Sequence, residues 1–259
     1  MQAAHMHGIF SISDIIALIC GYLELRDLVN LLTVSRTFFH CASPHVWSEI
    51  SSPQPLVKLL PHVGPDEIPS QLRNPGRFDM LNQQSLFRFD LYAPLVRKIT
   101  LKPTEEEEKL AWRFLLRRVP RRPLLPGLRR LALGVEWYQD HEPLEVLMCV
   151  MALLCPSLIE ICGPPYHDAW IEPSLASLLL QNLAHATPDL EKLRLRVLSQ
   201  KQIPYTKSSL FSNLAALRSL RTLHCSTAVI DSPVMLLLGT LPELDSLQIK
   251  APHCGPTKS

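Results

Sequence analysis

Residues 126–133 read Pro-Gly-Leu-Arg-Arg-Leu-Ala-Leu. Leu128, Leu131 and Leu133 follow the frame Leu-x-x-Leu-x-Leu. Because successive side chains of a β-strand point to opposite faces, the end of this frame predicts a short strand with one buried face. The frame recurs, with related apolar residues, in the segments 94–101, 156–161, 188–195, 220–225 and 242–249.

The recurring frame has a nearly constant spacing. Its first apolar residues are Val96, Leu128, Leu158, Leu190, Leu220 and Leu244. The steps between them are 32, 30, 32, 30 and 24 residues. Such a step, combined with this frame, is typical of a leucine-rich repeat, although it is longer and less regular than the usual one.

Stretches with helical character separate the frames, at about 105–119, 143–155, 173–186, 207–218 and 233–240. One strand–helix unit cannot bury its apolar side alone, whereas stacked neighbours can. We therefore expect an α/β solenoid of parallel strands with outer helices. A doubly wound α/β sheet is the competing interpretation, but its glycine-rich first turn is missing. No capping element follows the last frame, so the tail or a partner covers that end, or this is a shortened member of its family.

The first fifty residues predict three short helices. Ser13 or Asp14 can cap the first helix with a side-chain oxygen. Its apolar stripe at helical spacing is Ile15, Ile16, Ile19 and Leu23. The apolar side of the second helix is Leu28, Leu31 and Leu32. A third segment begins at residues 34–39, and we expect Pro44 to break it.

The ordered residues of this N-terminal unit resemble an F-box, most closely that of fungal, mushroom-type proteins. The residues that carry the resemblance are Ile12-Ser13-Asp14-Ile15-Ile16, Ile19, Tyr22-Leu23, Asp27-Leu28, Val34-Ser35-Arg36, Phe38, Ala42, Pro44 and Trp47. Residues 47–61 and 88–97 are similar to the same group. Together with the repeats, the resemblance divides the chain into an F-box (1–50), a Pro-rich linker with a packing helix (51–92) and a leucine-rich-repeat-like domain (93–259).

The F-box resemblance implies a docking function. The family's three helices bind a Skp-type adaptor, which joins a cullin–RING ubiquitin ligase, so this chain would be the subunit that recognises the target protein. Carried over by position, the adaptor-binding residues are Ile12, Ile15, Ile16, Ile19, Leu23, Leu28, Val34, Ser35 and Trp47. Ser13 replaces a usual Pro and Cys20 a larger apolar residue, so we expect weakened docking. The alternative is a repeat-type binding module whose N-terminal helices only cap the solenoid, with no ubiquitin role.

Loops that follow the predicted strands contain large amphipathic rings. The candidate target-binding residues are Trp137, Tyr138, Tyr166, His167, Trp170 and Tyr205. In a solenoid these loops project from one edge, and such rings are preferred anchors of protein interfaces. The competing interpretation is that Trp137 and Trp170 fold back onto neighbouring helices as core residues.

Composition and motifs argue against an enzyme. The net charge of +2 favours neither nucleic acid nor an anionic membrane as partner. The sequence has no Gly-x-Ser-x-Gly, Walker-type or His-Glu-x-x-His motif, so we expect no catalytic, metal or cofactor site. Seven cysteines without a Cys-x-x-Cys pair predict reduced, buried thiols. With no signal peptide and no apolar run of membrane-spanning length, we expect a cytoplasmic or nuclear protein.

Overall fold

The computed structural model describes residues 12–60, 86–101, 111–116, 119, 123–133, 143–162, 173–194, 213–226 and 232–250. The helices are α1 (Ile12–Cys20), α2 (Leu25–Leu31), α3 (Arg36–Trp47), α4 (Gln54–Val57), α5 (Phe87–Tyr92), α6 (Pro143–Leu153), α7 (Pro173–Ala186) and α8 (Ser232–Leu238). Residues 111–116 are also helical, and Ala93–Leu95 and Asn213–Ala216 form 3-10 turns. The strands are β1 (Glu49–Ile50), β2 (Lys98–Leu101), β3 (Arg130–Leu133), β4 (Glu160–Cys162), β5 (Lys192–Arg194), β6 (Thr222–Ser226) and β7 (Ser246–Lys250).

The seven strands form one sheet whose order follows the chain, and every neighbouring pair is parallel. Strands β2 to β7 coincide with the recurring apolar frames, so the predicted parallel α/β architecture is confirmed. A doubly wound sheet reverses its strand order at a switch point. The described sheet contains no such reversal, so that alternative is wrong.

One face of the sheet is buried by a single row of apolar residues. Ile99, Leu131, Ile161, Leu193 and Leu223 occupy matching positions on successive strands and are at most 2% exposed. Apolar side chains of α6 and α7 join the same core. Each frame therefore places its second apolar residue under the helices, and the alternate residues of the strands lie on the opposite face.

A repeated backbone contact fixes the spacing of the strands. The carbonyl of Arg97 accepts hydrogen bonds from the N–H groups of Arg129 and Arg130, at 2.8 and 2.9 Å. The carbonyl of Arg129 accepts from Ile159 and Glu160 in the same way, at 3.0 Å each. Two successive N–H groups at the start of the next strand donate in the same way to the carbonyls of Ile159, Glu191 and Arg221. Successive frames are thus joined by one contact that recurs with the spacing of the sequence repeat.

The N-terminal helices differ from the prediction in two details. Ser13 and Asp14 lie inside α1 rather than capping it. Pro44 does not break the third helix, because α3 continues to Trp47. The proline lacks an N–H and disfavours a continuous helix, but Val46 and Trp47 are packed against the cores on either side. That packing keeps the last turn helical.

The boundaries of other elements also differ from those that the sequence predicts. The sequence predicts one short helix in the linker, near residues 56–60, and α4 lies there but begins two residues earlier, at Gln54. The sequence also predicts a packing helix from about residue 81 to residue 92. The described part of it runs from Phe87 to Tyr92, and a 3-10 turn at Ala93–Leu95 follows. The stretch expected to be helical at 207–218 contains a 3-10 turn at Asn213–Ala216.

Candidate docking surface on the N-terminal helices

The three N-terminal helices have a small core of their own. Cys20, Leu28 and Ala42 are at most 5% exposed and come from α1, α2 and α3, respectively. The partly buried residues around them are Ile16, Leu23, Leu31, Leu32, Cys41 and Val46. This cluster is separate from the core of the sheet. Because Cys20 lies inside it, its small side chain affects the packing of the helices rather than a surface contact.

The outer side of α1 and the turn that follows it leave large apolar side chains in solvent. Ile12 is 76% exposed, Leu18 64% and Tyr22 86%, and Ile15 and Ile19 are about half exposed. We call these five residues the α1 apolar surface. Nearby in sequence, Leu25, Val29 and Val34 are also exposed. Folded monomers rarely expose neighbouring apolar side chains on this scale, and such patches mark interaction sites.

The residues predicted to bind an adaptor divide into three groups. Ile12, Ile15, Ile19 and Val34 are exposed and available for contact. Ile16 and Leu23 are partly buried against the small core. The remaining three have structural contacts, which are Leu28 in the core, Ser35 at the start of α3 and Trp47 against Tyr92.

The Leu28 side chain is 5% exposed and packs inside the small core, and its contact with an adaptor stays a prediction. The apolar pattern of α2 places Leu28 on the apolar side of the helix. It does not show whether that side packs against α1 and α3 or against another protein. Leu18 and Tyr22 were missed as exposed residues. A signal for Leu18 existed, since α1 is apolar almost all round and a helix packed on one side cannot bury every face.

Several contacts join the helical unit to the sheet. Strand β1 pairs with β2, and the carbonyl of Ser48 accepts from the N–H groups of Arg97 and Lys98, both at 2.8 Å. The Lys98 ammonium is paired with the Glu49 carboxylate. The ring of Trp47 lies 4.6 Å from that of Tyr92, measured between centroids. The short strand β1, which the sequence frames do not include, therefore fixes how the helices sit on the first edge of the sheet.

Six rings in the loops that follow the strands are predicted to bind a target. Trp137, Tyr138, Tyr166, His167, Trp170 and Tyr205 all lie outside the described residues. Their role in binding a target stays a prediction.

The open face of the sheet contains a polar cluster that sequence reasoning missed. Glu160 and Cys162 of β4 lie beside Lys192 and Arg194 of β5 and, beyond them, Thr222 and His224 of β6, and these residues line a cavity of about 240 Å³. A signal was present in the sequence, because these are the alternate positions of three consecutive frames. Burial, with a hydrogen bond from the thiol to Glu160 (2.9 Å), raises the pKa of Cys162 to about 12.

Among the described residues, no group of three or more His, Cys, Asp or Glu side chains is placed to hold a metal ion. None of the described helices combines the length and apolar character needed to cross a membrane. No protein-family model matches the sequence, and no curated protein matches it significantly.

Proposed function

We propose that this chain is the substrate-recognition subunit of a cullin–RING (SCF-type) ubiquitin ligase of the cytoplasm or nucleus. Its N-terminal F-box helices bind a Skp-type adaptor, and its sheet domain, an irregular leucine-rich-repeat-like stack, binds a target protein. The chain positions the target for ubiquitin transfer by other subunits and carries out no bond chemistry itself.

The α1 apolar surface is the observation that carries the proposal. Four of the residues that match the F-box pattern, Ile12, Ile15, Ile19 and Tyr22, lie exposed on it. Among residues 12–60 of the described chain, the core of the helical unit has three buried apolar residues, and so small a core gives little stability. Burial of several half-exposed isoleucines under a partner stabilises the complex by roughly 25 cal/mol per Å² of apolar area removed from water. This favours an adaptor that covers the surface.

The sheet supports the second half of the proposal. Its strand order follows the chain, and the carbonyl contact at the start of each strand recurs at the spacing of the sequence repeat. Both features are typical of stacked repeat domains, which present one long face to protein partners.

Capture of a purified Skp-type adaptor by the full-length chain tests the docking half. The variant Ile15→Asp with Ile19→Asp places two charges in the α1 apolar surface without touching its buried core, so capture should be lost while the melting temperature changes little. Leu236→Asp is the matched control, since Leu236 is 76% exposed and lies on α8. Unchanged capture by the double variant would mean that the docking site is elsewhere.

A second function is favoured by the attachment of the helices to the sheet. Because β1 pairs with β2, the helical unit also covers the first sheet edge, which would otherwise expose unpaired backbone groups. If covering this edge is its only role, the wild-type chain captures no adaptor, and the double variant has no phenotype in capture. Adaptor capture by the wild type is therefore the measurement that separates the two functions.

A further inference from the structure

Strand β7 is the last strand of the described sheet, and among the described strands it has a neighbour, β6, on one side only. All of its residues are in register with β6, from Ser246 opposite Thr222 to Lys250 opposite Ser226. A fully formed edge strand presents a row of backbone N–H and C=O groups with which another strand can pair. Proteins usually block such an edge with a proline or a charge, and the middle of β7, residues 247–249, contains neither.

The backbone groups of Leu247 and Ile249 point towards the open side of this edge. The Ser246 N–H donates to the Arg221 carbonyl at 2.9 Å, so the backbone groups of Ser246 face β6. Because the direction of these groups alternates from residue to residue in a strand, those of Leu247 and Ile249 face away from β6. Within the part of the chain that the structure describes, no residue bonds to them.

The apolar row on the buried face of the sheet becomes exposed at the same edge. Leu247 is in register with Leu223, and Ile249 with Cys225. Cys225 is 4% exposed, whereas Ile249 is 41% exposed and Leu247 is only partly buried. The difference arises because β6 has a described strand on both sides and β7 on one. A strand with apolar residues at alternate positions would cover both the open backbone groups and Ile249.

We infer that β7 pairs with β7 of a second copy of this chain, antiparallel and about a two-fold axis at Gln248. This register places Leu247 of each copy opposite Ile249 of the other. The outward N–H and C=O groups of both residues are then bonded, and the apolar row of one sheet continues into that of the other. A two-fold axis makes the interface self-complementary, so one strand supplies both halves. The inference uses only β6 and β7 and is independent of the proposed ubiquitin role.

The charges at the two ends of β7 favour antiparallel pairing of two copies. Asp245 precedes the strand and Lys250 ends it. Antiparallel pairing brings the start of one strand beside the end of the other, so residues of opposite charge come near each other. Parallel pairing would instead bring the two Asp245 carboxylates together, which is destabilising. At the axis Gln248 faces Gln248 of the second copy, and each neutral amide can donate and accept a hydrogen bond.

Sedimentation equilibrium of the full-length chain, over a series of concentrations and under reducing conditions, tests the inference. The wild type should show a monomer–dimer equilibrium. Ile249→Pro removes an outward N–H without removing a bond to β6. It should raise the dissociation constant of the dimer by about tenfold or more, because each copy loses one hydrogen bond. Ile249→Val keeps the N–H and should dimerise like the wild type. A wild type that stays monomeric throughout the series rejects the inference.

Ile249→Lys tests the same edge without a proline. It keeps the N–H but places a charge on the buried face, opposite Leu247 of the second copy. Because Ile249 is partly exposed in the single chain, the melting temperature of the monomer should change little while the dimer is lost. Dimerisation of both Ile249→Pro and Ile249→Lys at the wild-type level would mean that β7 does not form the interface.

The double variant Ile15→Asp with Ile19→Asp is the control for association elsewhere, because the α1 apolar surface is also exposed. This variant should dimerise like the wild type. If it is monomeric while Ile249→Pro still dimerises, two copies associate through the N-terminal helices and the inference is wrong.

Gln248→Cys tests the register. Opposite residues at a non-hydrogen-bonded position of an antiparallel pair have Cα atoms about 4.5 Å apart, a distance that a disulfide spans. Mild oxidation should therefore link two copies through the introduced thiols. Ser246→Cys is the matched control, since Ser246 is on the same face of β7 but opposite position 250 of the second copy, and it should give no more covalent dimer than the wild type. Equal amounts of covalent dimer from the two variants would reject the two-fold pairing at Gln248.

Discussion

The carbonyl oxygen of Pro94 approaches Gly127 so closely that a Cβ atom added to the glycine would lie 2.2 Å from it. In the same place, Nη1 of Arg97 donates a hydrogen bond to the Gly127 carbonyl at 3.0 Å. The turns that lead into β2 and β3 are therefore in direct backbone contact. Only a residue without a side chain fits between them.

Gly127→Ala should destabilise the sheet domain. Because the obstructing atom belongs to the backbone, the two turns must move apart, and overpacking of this kind costs about 1–3 kcal/mol. Urea denaturation of the full-length chain measures the change. Gly239→Ala is the control, since the nearest atom to its added Cβ is 3.3 Å away and the residue is exposed. A midpoint shift as large for Gly239→Ala as for Gly127→Ala would contradict the steric explanation.

The thiols of Cys162 and Cys225 should resist alkylation in the folded protein. Burial is the main cause that raises their pKa values, to about 12 and about 11 from the usual 9.0. Thiolate is the reactive form, so iodoacetamide at pH 8 should label both cysteines only after unfolding. Since the folded pKa values are raised, the stability that the neutral thiols contribute is fully present below pH 9 and is lost as the pH rises towards 11 to 12.

Glu160→Gln tests how much the Glu160 carboxylate contributes to the raised pKa of Cys162. The substitution removes the carboxylate that accepts the Cys162 hydrogen bond and repels its thiolate. Labelling of Cys162 should become faster, whereas labelling of Cys225, for which burial is the stated cause, should stay the same. Mass spectrometry of the labelled peptides measures the labelling of both cysteines in one sample. An equal increase in the labelling rate of both would indicate general loosening of the fold.

The repeated frame was sufficient to predict six strands and their parallel order, because each frame carries the same apolar alternation and can be buried only against its neighbours. Strand β1 could not be predicted in this way. Glu49 and Ile50 form a two-residue strand with no frame, and only its pairing with β2 makes it a strand. Its existence depends on tertiary contact rather than local sequence.

The candidate docking surface was predicted less completely than the sheet. In a strand, alternation assigns each side chain to one face, but α1 is apolar on nearly every side. The spacing of Ile15, Ile16 and Ile19 identifies a helix without showing which residue faces α3. Packing decides this, and it turns Ile16 towards the small core and leaves Ile15 and Ile19 exposed.

Ser35→Ala should lower stability without affecting adaptor capture. The Ser35 hydroxyl accepts a hydrogen bond from the Phe38 N–H at 3.3 Å and so caps the start of α3. Because the bond is long and exposed, we expect a loss near the low end of the usual range for such caps, about 0.5–1 kcal/mol. Ser35→Asp keeps an acceptor and should restore the melting temperature. Loss of capture by the alanine variant, with stability intact, would instead support direct contact with the adaptor.

The contact between Trp47 and Tyr92 should couple the stability of the N-terminal helices to that of the sheet. Their rings are tilted by 30° at a centroid distance of 4.6 Å, and Phe39 lies edge-on to Tyr92 at 6.0 Å. A double-mutant cycle with Trp47→Ala and Tyr92→Ala should give a coupling energy of about 0.5–1.5 kcal/mol. Wild-type unfolding should follow one transition by tryptophan fluorescence and by circular dichroism. Additive effects of the two substitutions, together with two separate transitions, would mean that the helices and the sheet unfold independently and that this contact does not join them.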